Sequence, residues 1–131
     1  MNAVHQYQQV NTQTSVIDAD PHRLIQLLLE GALERMSVAK NRIHAKDYEG
    51  KNRYLNKSIE IVGGLRSFLN FEKGGELAAS LEALYDYIER RLHEANILNN
   101  AEMIDECSDL LRQVKQGWDG IRSEVAEKQL A

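Results

Sequence analysis

The sequence predicts an all-α protein, an antiparallel up-down four-helix bundle preceded by an irregular N-terminal arm. Three observations carry this. From Pro21 onward, apolar residues recur every three or four positions, the period of a helix with one buried face. No stretch alternates apolar and polar residues with the period of two that a half-buried strand requires. The four stripes are separated by short breaks, and helices joined by short loops pack as antiparallel neighbours.

The arm is assigned to residues 1–20 and the bundle to residues 21–131. The arm is rich in Gln, Asn and Thr, yet it carries Tyr7, Val10, Val16 and Ile17 as spaced apolar anchors. A disordered tail more usually lacks such anchors, so the arm is expected to lie on the bundle as a lid that a partner displaces. Asp20-Pro21 then opens the first helix, with a side chain that can accept from the first turn and a proline where a missing N–H costs nothing. Its stripe is Ile25, Leu28, Ala32, Met36, Ala39 and Ile43. Asp47 is the expected cap of a second helix with the stripe Leu55, Ile59, Val62, Leu65 and Leu69. Gly74-Gly75 breaks the chain before a third stripe, Leu77, Leu81, Leu84, Ile88, Leu92 and Ala95. Asn99 with Glu102 has capping-box spacing and is expected to open the fourth helix. Its stripe is Ile104, Cys107, Leu111, Val114, Trp118, Ile121 and Val125.

Composition narrows the function. The chain has 131 residues, 43% hydrophobic and 27% charged, which is ordinary for one globular domain. Residues 1–66 carry nine Lys/Arg against seven Asp/Glu, and residues 67–131 carry seven against thirteen. Without a concentrated basic cluster, nucleic acid is not an expected partner. No apolar run is long enough to span a bilayer, and the first residues have neither the basic nor the apolar part of a secretory leader. The single cysteine, Cys107, excludes an internal disulfide and fits a reducing cytoplasm.

The chemistry of known bundles is missing. Di-iron bundles need inward Glu-x-x-His pairs, and none of His5, His22, His44 and His93 has Glu three residues before it. No metal or cofactor is expected. Cys107 lies in the fourth stripe and reads as a small core residue, not a nucleophile. A histidine phosphotransfer bundle using His93 is the alternative from the enzyme and signalling class. Its neighbours Glu89, Arg91 and Glu94 supply no lysine and crowd an incoming phosphoryl group with acid.

Some apolar surface exceeds what a core needs. Beside the main stripe of the second helix run Tyr54, Ile61 and Phe68, each seven residues apart, widening its apolar arc to about 180°. Leu27, Gly31 and Val38 similarly flank the first stripe. Either these flanks meet neighbouring helices or the arm, or they form a groove for another chain's amphipathic helix. A self-associating bundle would use the same arc. Gly63 and Gly64 each cost about 1 kcal/mol against alanine inside a helix, and mark a bend or a close approach. In the third helix, Tyr85 and Tyr87 fall on opposite flanks of the stripe. Tyr85 leans toward Leu81 and Ile88 and is expected buried; Tyr87 sits at a groove rim. Arg91, on the same side as Tyr87, needs an acidic partner if that seam closes.

Over nearly its whole length the chain resembles the FliS family of flagellar export chaperones. The most specific stretch is Glu72, Gly74-Gly75-Glu76, Leu77-Ala78, Leu81, Leu84-Tyr85, Tyr87, Arg91-Leu92 and Ala95-Asn96. Tyr7 and Val10, Pro21 with Leu24-Ile25, Leu28, Gly31-Ala32, Leu55, Lys57, Ile59, Ile61-Val62, Leu65, Leu110-Leu111 and Trp118 support it in order. Asp18, Ser80 and Gly117 depart from the family's usual residues. The resemblance implies a cytoplasmic chaperone, not an enzyme. Such a chaperone binds the C-terminal region of flagellin, prevents early polymerisation and delivers it to a component of the flagellar type III export gate. The same resemblance implies an anti-sigma factor as a secondary partner. The expected client-binding or groove-edge residues are Tyr7, Val10, Tyr54, Ile61, Phe68 and Tyr87.

Overall fold

The structure is a computed structural model and describes residues 20–120. Four helices account for nearly all of them: α1 Pro21–His44, α2 Tyr48–Ser67, α3 Phe71–Leu98 and α4 Ala101–Gly120. Each helix packs mainly on two neighbours, in the ring order α1, α2, α3, α4 and back to α1. Polar contacts along the seams show the antiparallel sense. His22, at the start of α1, meets Trp118 at the end of α4, while Lys40, near the end of α1, binds Asp105 at the start of α4. Lys51 in the first turn of α2 reaches Asn96 in the last turns of α3, and Arg66 in its last turn reaches Glu82.

Local sequence sets the boundaries. Asp20 Oδ1 accepts from the Arg23 N–H at 2.7 Å, and Pro21 takes the first helical position. Asp47 caps α2 by accepting from the Gly50 N–H at 3.0 Å. At the fourth helix the expected cap is displaced by one residue. Asn99 ends α3 in the left-handed region, at φ 53°, and Asn100 accepts from the Met103 N–H at 3.1 Å. Asparagine is among the few residues that tolerate that backbone, so the two asparagines divide the work of stopping one helix and starting the next.

The predicted break in the third helix is a single residue. Gly75 has φ 50° and ψ −126°, so the turn Phe71–Gly74 is offset from the helix that follows. A side chain at Gly74 would press on the Ala78 methyl at 2.9 Å, whereas Gly75 has open space around it. One glycine answers a close approach and the other a backbone conformation that L-residues avoid.

The core draws on all four stripes: Leu28 and Met36 from α1, Leu55 and Val62 from α2, Ile88 and Leu92 from α3, and Ile104, Cys107 and Leu111 from α4. Burying each large aliphatic side chain contributes about 1.5–3 kcal/mol. Ser58 adds a buried link, donating to the Ala32 carbonyl of α1 at 3.0 Å. Leu77, placed in the third stripe by periodicity, is instead 66% exposed. It lies just beyond the break, at an end of the longest helix where less of the bundle stands opposite. Ile97 and Leu98 project from the other end of α3 for the same reason. Ile121 and Val125 lie outside the described residues.

Candidate functional site: an apolar groove at one end of the bundle

The groove forms where α1 and α3 begin and α2 and α4 end. Pro21, Leu24 and Ile25 supply one wall, Leu65 and Phe68 another, and Leu77, Ala78, Leu81 and Tyr85 the third. Val114 and Trp118 close it from α4, and the corner residues Leu69, Asn70, Lys73 and Gly74 form its lip. Its volume is about 380 Å³, within the range of ligand-sized clefts. Only Asn70 and Lys73 among the lining residues carry strongly polar side chains, and Asn70 is committed to capping α3 through the Lys73 N–H. Phe68 and Leu77 stand exposed on the lining, and Phe71 is exposed on the same corner.

The α1–α4 wall is held by a reciprocal clasp. His22 is buried and stacks on Trp118 with ring centroids 4.7 Å apart and planes 7° from parallel. Its Nε2 lies 2.7 Å from the Trp118 carbonyl, and the Trp118 indole N–H donates to the His22 carbonyl at 3.0 Å. Beside the clasp, Gln26 donates to Asp119 at 2.5 Å and Lys115 pairs with the same carboxylate at 2.7 Å. Those two donors, Lys115 foremost, hold the Asp119 carboxyl below its ordinary range.

The two tyrosines of α3 behave oppositely. Tyr85 is buried, as its position on the wheel predicts, and burial pushes its phenol up to about 12. Tyr87 is half-buried in the α3–α4 seam, where its hydroxyl donates to Glu106 at 2.5 Å. Arg91 donates to the other oxygen of Glu106 at 2.9 Å, and so finds the acid its position called for. Those two hydrogen bonds, Tyr87's first, hold the Glu106 carboxyl below its ordinary value, and Glu106 in turn raises the Tyr87 phenol.

The remaining expected residues are dispersed. Tyr54 is half-buried on α2 with Arg53 and Lys57 over its ring at 5.8 and 5.7 Å. Ile61 is buried in the core cluster and presents no groove edge. The wide arc of α2 serves a helix that packs against α1 on one side and α3 on the other. Leu27 and Gly31 are likewise buried, as flanks that meet neighbours would be. Gly63 faces α3, where an added side chain would lie 3.4 Å from Glu89 Oε1. Tyr7 and Val10 lie outside the described residues. Of the four that are described, Phe68 alone lines the groove. Leu24, Leu77 and Trp118 read as core or family positions in the sequence, and periodicity gives no sign that the bundle end stays open around them.

Other chemistry finds little purchase. His93 is exposed on α3. Cys107 is fully buried, and burial raises its thiol to about 12, well away from a nucleophile's range. Among the described residues no cluster of His, Cys, Asp and Glu could hold a metal ion, and no helix is long and apolar enough to cross a membrane.

Comparison with known proteins assigns the family. Residues 3–125 match the family described as flagellar protein FliS. The flagellar secretion chaperone FliSB of Pseudomonas aeruginosa is 50% identical over 121 residues, covering 92% of this chain and 96% of that protein. The flagellar secretion chaperone FliS of Salmonella typhimurium is 38% identical over 121 residues, 92% of this chain and 90% of its own. That of Bacillus subtilis is 37% identical over 117 residues, covering 88% and 86%. All three are named as chaperones, not for a catalysed reaction. A helical bundle, an open apolar groove and matches along nearly the full length agree: this chain belongs to the FliS family of flagellar secretion chaperones.

Proposed function

We propose that this chain binds the C-terminal segment of flagellin in the cytoplasm, keeps it from polymerising early, and delivers it to a component of the flagellar type III export gate. The observation that carries the reading is the apolar groove with Phe68 and Leu77 exposed on its lining. A segment that will pair with other copies of itself must hide an apolar stripe until export. A helix laid into a groove hides it by burying the same face that polymerisation would use. Ordering an unfolded segment costs a few kcal/mol, so firm binding requires a large interface and remains reversible. Phe68 contacts the client in this reading, and Tyr54 and Tyr87 edge its path along the bundle. Residues 1–20, with Tyr7 and Val10, form an arm that covers apolar surface until the client displaces it, and residues 21–131 form the chaperone domain. An anti-sigma factor is a secondary partner in this reading.

Calorimetric titration of the full chain with a peptide spanning flagellin's C-terminal segment tests this. Saturable one-to-one binding is expected, and no binding at tens of micromolar overturns it. Deleting residues 1–16 is expected to change the affinity; an unchanged affinity removes the lid role while leaving the chaperone role intact.

A further inference from the structure

A buried tyrosine hydroxyl normally finds a partner, because an unpaired one loses water without replacing it. Tyr87 in the same helix obeys the rule through Glu106. So does the Trp118 indole, through the His22 carbonyl. Tyr85 does not. It is 3% exposed, it lines the groove, and its hydroxyl has no hydrogen-bond partner among the described residues. Nor is its oxygen among the fully enclosed unpartnered atoms, as His22 Nδ1 and Asn96 Oδ1 are, and the groove is the opening that Tyr85 lines.

We propose that the Tyr85 hydroxyl is a hydrogen-bonding anchor for the client, and that the groove selects a segment whose apolar face carries an acceptor opposite it. The inference rests on the chaperone reading above and adds the chemistry the client must offer. In the free chain, solvent in the groove satisfies the hydroxyl. A wholly apolar occupant would expel that solvent and strand the group, with the penalty of an unpaired buried donor. An occupant bringing a carbonyl, carboxamide, hydroxyl or carboxylate oxygen recovers the bond in a low-dielectric site, where it counts most. The other polar atoms at hand do not compete for the role: Asn70 already caps α3, and Lys73 sits exposed on the lip. A site built around one hydrogen bond in this way rejects a close analogue lacking the acceptor.

The test is Tyr85→Phe in the full chain, which removes one oxygen and keeps the ring. Thermal unfolding without client and calorimetry with the flagellin C-terminal peptide are measured on both proteins. Affinity is expected to fall about three- to ten-fold, the worth of one net hydrogen bond, while the melting temperature of the free chain stays level or rises. Unchanged affinity overturns the proposal. A lowered melting temperature also overturns it, because the hydroxyl would then serve the fold. Failure of the unsubstituted chain to bind is a different result: it removes the chaperone reading and this inference with it.

Discussion

Two tyrosines two positions apart in one helix take different surroundings, and the buried one is the one its sequence position foretells. Tyr87, the more lateral on a helical wheel, spends its hydroxyl on Glu106, while Tyr85, the more central, is buried among the residues that line the groove. The wheel gives the direction of a Cβ and so foretells that Tyr85 is buried. It cannot say where a phenol tip 6 Å further out finds its partner, since that depends on the facing helix. The Glu106 knot makes a prediction with a defined sign. Its carboxyl is held below its ordinary 4.5 in the folded chain, so its contribution is present above that value and lost as pH falls through the lower folded value. Glu106→Gln is therefore expected to melt below the unsubstituted chain at pH 7, with the gap closing as the pH drops below about 4.5. Melting curves across pH 3–7 check this; a gap independent of pH would mean the charge does not matter there.

At the scale of the element, stripes and caps were largely legible. Asp20-Pro21 and Asp47 begin α1 and α2 as their sequences foretell, because an N-cap depends on residues three positions away. The α3–α4 junction slipped by one residue, since adjacent asparagines can each cap or stop a helix and only the turn geometry chooses. Gly75 is the backbone singularity of α3. Nothing lies within 4 Å of where its side chain would start, so Gly75→Ala isolates the conformational cost. At φ 50° and ψ −126° that cost is about 1–3 kcal/mol, expected as a lower urea midpoint with an unchanged slope. An unaltered midpoint would show that the turn before it re-forms a regular helix at no loss.

The whole molecule shows why the site was harder to read than the fold. Periodicity locates the buried side of each helix but not where neighbouring helices end. Leu77 continues the stripe of Ile88 and Leu92, yet those are fully buried and Leu77 is open. The groove arises from that mismatch at the end of the bundle, with the α2–α3 corner as its lip and the His22–Trp118 clasp behind one wall. Conversely, the broad arc of α2 divides: Ile61 goes into the core between neighbouring helices, Tyr54 is half-buried and Phe68 stays exposed on the groove. The family carries the function that no single side chain announces, and the groove is the place we propose for it.

On the proposed function, the client seats in this groove and not on exposed apolar surface in general. Leu77→Glu places a charge in the groove, and Leu98→Glu places one on an exposed leucine at the opposite end of α3. Both sites face solvent, so both variants are expected to fold. Titrating each with the flagellin C-terminal peptide should show binding weakened by at least about ten-fold for Leu77→Glu, the cost of stranding a charge against an apolar face, and near-native binding for Leu98→Glu. Native affinity in Leu77→Glu, or an equal loss in both, would place the client elsewhere on the bundle.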